Sequence, residues 1–216
     1  RVAEDLCDRL DTINRPFDRT LLLGGGGAFR AALQKRPELA ARVQVLAETD
    51  LSERLVAAPF GLACDPEALP FEIGSFDLVV SNLALHWVND LPGALVQLRL
   101  ALKPDGLLLA SLFGGETLAD LRGALMRAEI EARGGAGPRV APFADAQDLA
   151  GLLQRAGFAL PVADLDTTTV RYRDPVQLFA DLAIAETTGQ LLEDLALATS
   201  QFIQRPGRGP GSGHAG

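Results

Sequence analysis

Short, nearly continuous apolar segments alternate with amphipathic ones through the first half of the chain. Such segments predict buried strands, because a parallel sheet covered by helices on both faces shows little polar alternation. The predicted strands are Thr20–Leu23, Arg42–Ala47, Phe60–Cys64, Phe76–Ser81 and Leu107–Phe113. Strands that alternate with helices need right-handed crossovers. The pattern therefore predicts an α/β fold with a doubly wound, mostly parallel sheet and helices on both faces.

Helical periodicity and capping residues place the helices between and after these strands. Asp90 and Asp145 are predicted N-caps, each just before an amphipathic segment. The predicted helices are Val2–Leu10, Ala28–Arg36, Ser52–Ala57, Leu91–Leu102, Thr117–Arg133, Asp145–Ala156 and most of Pro175–Ile203. A β-branched segment predicts a further strand within Val162–Tyr172. Residues 1–203 are thus predicted to form one domain, and the Gly/Pro-rich residues 204–216 a disordered tail.

Composition limits the classes of function that fit this chain. Its 216 residues, 48% of them hydrophobic, suit one domain with a filled core. The net charge of −8 argues against nucleic acid as a partner, since phosphate binding requires clustered Lys and Arg. No apolar run reaches the roughly 18 residues of a membrane span, so stable membrane insertion is not expected. Cys7 and Cys64 form no disulfide framework, which indicates a reducing, cytoplasmic location.

Four consecutive glycines, Gly24 to Gly27, follow the first predicted strand and open a helix. Glycine there lets the backbone approach a ligand, and the helix start offers free N–H groups. This context favours a nucleotide or nucleoside cofactor. A dinucleotide is weakly supported, because the third glycine of G-x-G-x-x-G is replaced by Phe29 or Arg30, depending on the register. A plain tight turn is the alternative.

Acidic residues follow the second and third predicted strands. Asp50 stands where a carboxylate commonly accepts hydrogen bonds from ribose hydroxyls, and Glu48 is the rival candidate. The alternative for both is a solvated loop acid. Asp65 ends the third strand, where it could accept from an adenine amino group or form an Asx-turn before Pro66.

The loop after the fourth strand lies at the predicted ligand site, since ligands bind beyond the carboxyl ends of parallel strands. This places Asn82 and the residues up to Asp90 at the site. His86 is the one imidazole there that could act as a base, and packing beside Trp87 is the alternative. The other histidine, His214, is in the tail, which excludes a two-histidine iron or His-rich zinc site in the folded part, and no metal is predicted.

These landmarks together resemble the class I S-adenosylmethionine-dependent methyltransferases. The glycine loop resembles motif I, the LPF segment after Asp65 resembles the adenine segment, and GSFDLVVSNLALHW and LKPDGLLLAS resemble the fourth strand and the fifth-strand hairpin. The likeness covers roughly Thr20–Leu182. LALHWVNDLPGAL and FGGETLADLR further resemble the mitochondrial complex I assembly factor 5 family and its bacterial relatives. That family is related to the malonyl-carrier-protein methyltransferases of biotin synthesis.

The resemblance implies a cofactor, a reaction and a set of site residues. The cofactor is S-adenosylmethionine, and the implied binding residues are Gly24, Gly25, Gly26, Asp50, Leu51, Asp65 and Asn82, with Asn82 and His86 as catalytic candidates. The reaction is methyl transfer to a small-molecule, carrier-bound or protein acceptor. The assembly factor family has this fold but hydroxylates an arginine of a complex I subunit, so an arginine hydroxylase or assembly factor for such a subunit is the alternative. The expected location is the cytoplasm, or the mitochondrial matrix if the chain is eukaryotic. A non-catalytic, methyltransferase-like binding protein is the third interpretation.

Two departures from the family pattern change these expectations. Motif I carries an acid where this chain has Leu22, and loss of one charged hydrogen bond lowers affinity about ten- to a hundred-fold. Family members also end in a helix and a final antiparallel strand, which has no counterpart in the pattern after about Leu182. The C-terminal part of the sheet is therefore expected to be incomplete, and its exposed edge favours a homo-oligomer.

Overall fold

A computed structural model describes residues 1–24, 27–51, 53, 56, 61–137, 140 and 143–185. The chain divides into two compact units. The first comprises Arg1–Gly115 and Phe143–Leu165 and holds the sheet, and the second comprises Glu116–Pro142 and Asp166–Gly216. The single domain proposed for residues 1–203 stays a prediction.

The first unit is built on a parallel sheet of five strands, as the apolar segments predict. The strands are β1 Phe17–Leu23, β2 Val43–Asp50, β3 Gly61–Ala63, β4 Phe76–Asn82 and β5 Leu102–Ser111. Their order is β3-β2-β1-β4-β5, and every pairing is parallel. The chain moves outward in one direction from β1 to β3 and then returns to the other side of β1. This reversal opens a crevice between the carboxyl ends of β1 and β4, the usual ligand position in doubly wound sheets.

Helices cover both faces of this sheet. Those in the first unit are α1 Val2–Asp11, α2 Ala28–Gln34, α3 Pro37–Arg42, α4 Leu91–Ala101 and α6 Ala146–Arg155, with a short 3₁₀ helix at Leu85–Trp87. The second unit contains α5 Ala119–Arg133 and α7 Pro175–Ala185. Asp90 and Asp145 cap α4 and α6 as predicted, because each carboxylate accepts a backbone N–H three residues ahead at 2.9 Å.

Alternate residues of the central strands supply two separate cores. Leu22 points to the α1–α3 face, where it is buried with Leu6 and Phe29. Leu21 points to the opposite face, where it is buried with Leu95 and Leu98 of α4. Because both faces are covered, the strand sequence is continuously apolar.

Several predicted boundaries differ from the observed ones. β2 does not stop at Ala47 but continues through Asp50, so Glu48 belongs to the strand and not to the following loop. A second helix begins at Pro37, directly after the predicted helix Ala28–Arg36. Proline suits the first helical turn, because the N–H that it lacks would have no intrahelical partner there. β5 begins at Leu102, five residues before the predicted start of that strand at Leu107.

The strand predicted within Val162–Tyr172 is wrong. The segment has no regular structure, and Thr167, Thr168 and Thr169 are exposed. β-propensity measures packing on a half-buried sheet surface, which these threonines lack. The predicted helix Ser52–Ala57 lies mostly outside the described residues, as do the end of the last helix and the tail 204–216.

β5 lies at one edge of the sheet in the described part of the chain, where it pairs with β4 alone. Its apolar residues 107–110 are only half-buried, whereas Leu78, Val79 and Val80 of β4 are at most 1% exposed. An apolar strand with an open edge is suited to pairing with another strand. Within the described residues the sheet is therefore open beside β5, as the sequence led us to expect.

Candidate active site at the carboxyl edge of the sheet

Three predicted site residues are brought side by side by the strand register. Leu23 of β1 is paired with Thr49 of β2 and with Ser81 of β4. The next residue along each strand is Gly24, Asp50 or Asn82, so these three residues line the crevice at one edge. Gly25 and Gly26, the other predicted glycine contacts, lie outside the described residues.

Gly24 is fixed in a conformation and a space that only glycine fits. Its φ is +70°, in the left-handed region that side chains disfavour. A Cβ on Gly24 would lie 2.4 Å from the Cβ of Ala84, in the loop after β4. Its N–H donates to the carbonyl of Thr49 at 2.7 Å, which ties the turn to β2. The glycine turn is thus packed directly against the loop that carries His86.

The two predicted carboxylates differ in their surroundings. Asp50 is half-buried at the end of β2, and its carbonyl accepts the N–H of Cys64 at 3.0 Å, which joins the ends of β2 and β3. Leu51, the next residue, is 60% exposed and offers an apolar surface beside Asp50. Asp65 forms the Asx-turn that was its alternative role, because its Oδ1 accepts the Glu67 N–H at 2.8 Å. Its other carboxylate oxygen is not used by that turn.

Asn82 combines burial with an unmet hydrogen-bonding capacity. The residue is 5% exposed at the end of β4, and its Oδ1 has no hydrogen-bond partner among the described residues. A buried polar atom normally has a partner, so an unpaired one at a ligand crevice indicates that a ligand supplies it. The neighbouring Ser81 hydroxyl is also buried and unpaired in this part of the chain.

His86 lies among aromatic rings, in a group that we call the aromatic cluster: His86, Trp87, Phe113 and Phe143. The His86 ring centroid is 4.7 Å from that of Trp87, 4.4 Å from Phe113 and 6.0 Å from Phe143. Neither His86 nitrogen has a hydrogen-bond partner among the described residues. Burial in these apolar surroundings lowers the pKa of His86 to about 4, so the imidazole is neutral at physiological pH.

Sequence reasoning missed Phe113 and Phe143. Phe113 follows β5 and is 37% exposed, and an aromatic side chain at the carboxyl end of a strand was a signal that could have identified it. Phe143 precedes α6, and no local pattern marks it. Its ring packs 5.8 Å from that of Phe113, a contact that only the fold creates.

The position of the missing motif I acid is occupied by a leucine that packs in the core. Leu22 is 2% exposed and belongs to the core. Glu48, the rival candidate for the ribose acid, is also 2% exposed and is paired with Arg30 of α2 at 2.8 Å. Asp50 lies farther toward the ligand edge of β2 than Glu48 does. It is therefore the better placed of the two acids for a ribose.

No group of three or more metal-ligating side chains occurs among the described residues. Within the same residues, no helix is long and apolar enough to cross a membrane.

Known proteins resemble this chain in both sequence and fold. The family described as a methyltransferase domain matches residues 23–110, which include the glycine turn, Asp50 and the loop after β4. Human mitochondrial arginine-hydroxylase NDUFAF5 is 41% identical over 184 residues, covering 84% of this chain and 53% of that protein. The malonyl-acyl-carrier-protein O-methyltransferase of Halorhodospira halophila is 36% identical over 188 residues, covering 84% of this chain and 62% of that protein.

The chain belongs to the class I S-adenosylmethionine-dependent methyltransferase superfamily. A solved methyltransferase of this type from Thermotoga maritima shares the fold, with a TM-score of 0.53 over 73% of this chain and 72% of that one, at 21% identity. The chain spans about half the length of the human relative.

The residues present fit the superfamily's cofactor, S-adenosylmethionine. Gly24 carries no side chain at the end of β1, so its backbone is open to a ligand that approaches the turn. Asn82 Oδ1 is a buried acceptor without a partner among the described residues, and Asp50 lies two strands away at the same edge, on the other side of β1. A bound cofactor would therefore supply the partner that packing does not give to Asn82 Oδ1.

Proposed function

We propose that this chain binds S-adenosylmethionine in the crevice between β1 and β4 and transfers its methyl group to an acceptor that docks on the aromatic cluster. The observation that supports this most directly is the shared edge. The register aligns Gly24, Asp50 and Asn82, and the aromatic cluster follows β4 and β5 at the same edge. Cofactor and acceptor would thus meet beyond the carboxyl ends of the strands.

Each residue has a separate part in this proposal. When bound, the cofactor supplies a methyl group on a positively charged sulfur. Gly24 lets the backbone approach the ligand, and Asp50 accepts hydrogen bonds from the ribose hydroxyls. Asn82 Oδ1, which is buried and unpaired among the described residues, accepts a hydrogen bond from a ligand donor. Asp65 and Leu51 border the adenine side. Methyl transfer depends mainly on this alignment of acceptor and donor.

The chemistry of His86 limits the choice of acceptor. Because its pKa is lowered to about 4, its imidazole is a weak base at neutral pH. It can accept a hydrogen bond from an acceptor group and thereby orient it. A nucleophile that must lose a proton would gain little help from such a base, whereas a carboxylate needs none. A carboxylate on a carrier or small molecule therefore suits this site.

Arginine hydroxylation is the second candidate function. It is favoured by the 41% identity with human NDUFAF5, a protein named for that reaction. Aromatic rings also bind a planar guanidinium face to face, and the cluster offers three of them around a neutral imidazole. Oxygen insertion would require dioxygen and a two-electron donor as co-reactants.

The proposed location depends on the source of the chain. It is the cytoplasm for a bacterial chain and the mitochondrial matrix for a eukaryotic one.

Calorimetric titration with S-adenosylmethionine and S-adenosylhomocysteine is the first test. Asp50→Asn should weaken binding about ten- to a hundred-fold without unfolding the chain, since it removes a charged hydrogen bond. Asp18→Asn, at an exposed position near the other end of β1, is the matched control. Equal affinities for the two variants would remove Asp50 from the site. No binding up to millimolar concentration would favour the third interpretation, a binding protein without catalysis.

Mass measurement of a candidate acceptor separates the two reactions. A malonyl carrier protein and an arginine-containing peptide are incubated in turn with chain and cofactor, and the peptide also with dioxygen and a reductant. A gain of one methyl group supports methyl transfer, and a gain of one oxygen supports hydroxylation. Trp87, the one tryptophan of the chain, is 43% exposed in the cluster, so its fluorescence reports acceptor docking directly.

The open edge of β5 supports self-association as a further part of the proposal. Residues 107–110 are apolar and half-buried, and a second copy could pair with them. Light scattering at several concentrations tests this. A monomer at all concentrations would contradict it.

A further inference from the structure

A buried ion pair adjoins the glycine turn. Glu48 of β2 has 3% of its side chain exposed, and Arg30 of α2 has 27%. Arg30 Nε and Nη2 approach the same carboxylate oxygen, Oε2, at 2.9 and 2.8 Å. A buried carboxylate is costly unless it is paired, and Arg30 supplies that pairing for Glu48.

The strand register sets Glu48 directly beside the position of the missing acid. Leu22 of β1 and Glu48 of β2 are register partners, so their side chains lie on the same face of the sheet. The contacts agree, because Leu22 packs with Phe29 of α2 and Glu48 pairs with Arg30 of the same helix. The carboxylate that motif I lacks at position 22 is therefore present one strand away, about 5 Å to the side.

The second oxygen of Glu48 is directed to the glycine turn. A Cβ built on Gly27 would lie 3.9 Å from Oε1, and apart from the chain next to Gly27 no other atom of the described residues comes within 4 Å of that point. Both Arg30 contacts are with Oε2, so the ion pair holds the carboxylate with Oε1 toward the glycine turn. Glutamate is one methylene longer than aspartate, which helps it reach from the neighbouring strand.

We propose that Glu48 has taken over the role of the acid absent at Leu22 and accepts a hydrogen bond from the ammonium group of the cofactor's methionine half, with Arg30 fixing its orientation. This inference rests on the proposed binding of S-adenosylmethionine. It adds a binding residue outside the motif position where one is expected. It also explains why an acid that does not serve the ribose is buried beside the turn.

Two ligands separate the methionine half from the rest of the cofactor. S-adenosylhomocysteine carries the ammonium group, and 5′-methylthioadenosine lacks it but keeps the adenosine and the sulfur. Glu48→Gln should weaken S-adenosylhomocysteine about ten- to a hundred-fold and leave methylthioadenosine within about twofold in calorimetric titrations. An equal loss for both ligands would mean that Glu48 acts only through the fold, which would overturn the proposal.

Two further variants test the same point independently. Arg30→Gln keeps the carboxylate but removes the group that orients it, so it should weaken S-adenosylhomocysteine less than Glu48→Gln does. Equal losses in the two variants would contradict the assignment. Leu22→Asp added to Glu48→Gln returns a carboxylate to the motif position and should recover most of the lost affinity. If Glu48→Gln leaves too little folded protein, the Arg30→Gln/Glu48→Gln variant, which has no unpaired charge, replaces it.

Failure of the underlying function gives a different result. If the unaltered chain binds neither ligand, the proposed cofactor site is wrong and the role of Glu48 falls with it. If it binds both ligands and Glu48→Gln binds them equally well, the cofactor site stands and only the role of Glu48 is refuted.

Discussion

Replacing Gly24 with alanine should damage both the fold and the cofactor site. Two separate costs are expected. The left-handed backbone at φ +70° costs a side-chain residue roughly 1–2 kcal/mol. The new Cβ would lie 2.4 Å from the Cβ of Ala84, although carbon atoms prefer about 3.5–4.0 Å, and overpacking of this kind costs about 1–3 kcal/mol. The free energy of unfolding should therefore fall by about 2–5 kcal/mol.

Gly74→Ala provides the matched control for the backbone cost. Gly74 has nearly the same φ, +68°, but no atom lies within 4 Å of its Cβ position. We expect this variant to lose only the roughly 1–2 kcal/mol of backbone strain. The difference between the two variants then measures the contact with Ala84.

Urea unfolding of Gly24→Ala, Ala84→Gly, the double variant and Gly74→Ala completes the test. Removing the Ala84 methyl should relieve the clash, so the double variant should be more stable than the sum of the single effects by about 1–3 kcal/mol. S-adenosylhomocysteine affinity should recover in parallel. Equal stabilities for Gly24→Ala and Gly74→Ala, with no coupling to Ala84, would refute the close packing of turn and loop.

The remaining predictions concern a helix cap and a titration. Asp90→Ala should destabilise the fold by about 1 kcal/mol in urea unfolding, because α4 loses the hydrogen bond from Gly93 N–H at 2.9 Å, whereas Asp90→Asn should retain most of that stability. Burial lowers the pKa of His86 from 6.5 to about 4. Between these two pH values the unfolded chain binds the proton and the folded chain does not, so the free energy of unfolding is full above pH 6.5 and falls as the pH drops toward 4. The loss should be at most about 3 kcal/mol, and His86→Phe should lack that part of the pH dependence; identical pH profiles for the two proteins would contradict the burial of His86.

The strands of the sheet could be predicted from sequence because burial on both faces leaves a continuous apolar signal. The edge that holds Gly24, Asp50 and Asn82 followed from the same reasoning, since parallel strands bring their carboxyl ends together. The strand predicted within Val162–Tyr172 failed because its β-branched residues have no sheet surface to pack on. Local propensity could not reveal that absence.

The parts of the site that depend on tertiary contacts were beyond local patterns. The role proposed for Glu48 rests on the register that sets it beside Leu22 and on the helix that brings Arg30 to it. Likewise, the pKa of His86 is lowered by burial, and two of the rings that pack against it, Phe113 and Phe143, are distant along the chain. Sequence spacing carries no information about such neighbours.

The aromatic cluster has a consequence for how this kind of enzyme diversifies. Phe113 and Phe143 come from segments that supply none of the proposed cofactor contacts, which belong to the ends of β1, β2 and β4. Substitutions at these two positions would therefore reshape the proposed acceptor surface and leave the proposed cofactor contacts unchanged. A change of acceptor would then need no change in the cofactor half, and proteins similar to this chain are named for two different reactions, arginine hydroxylation and carrier-protein methylation.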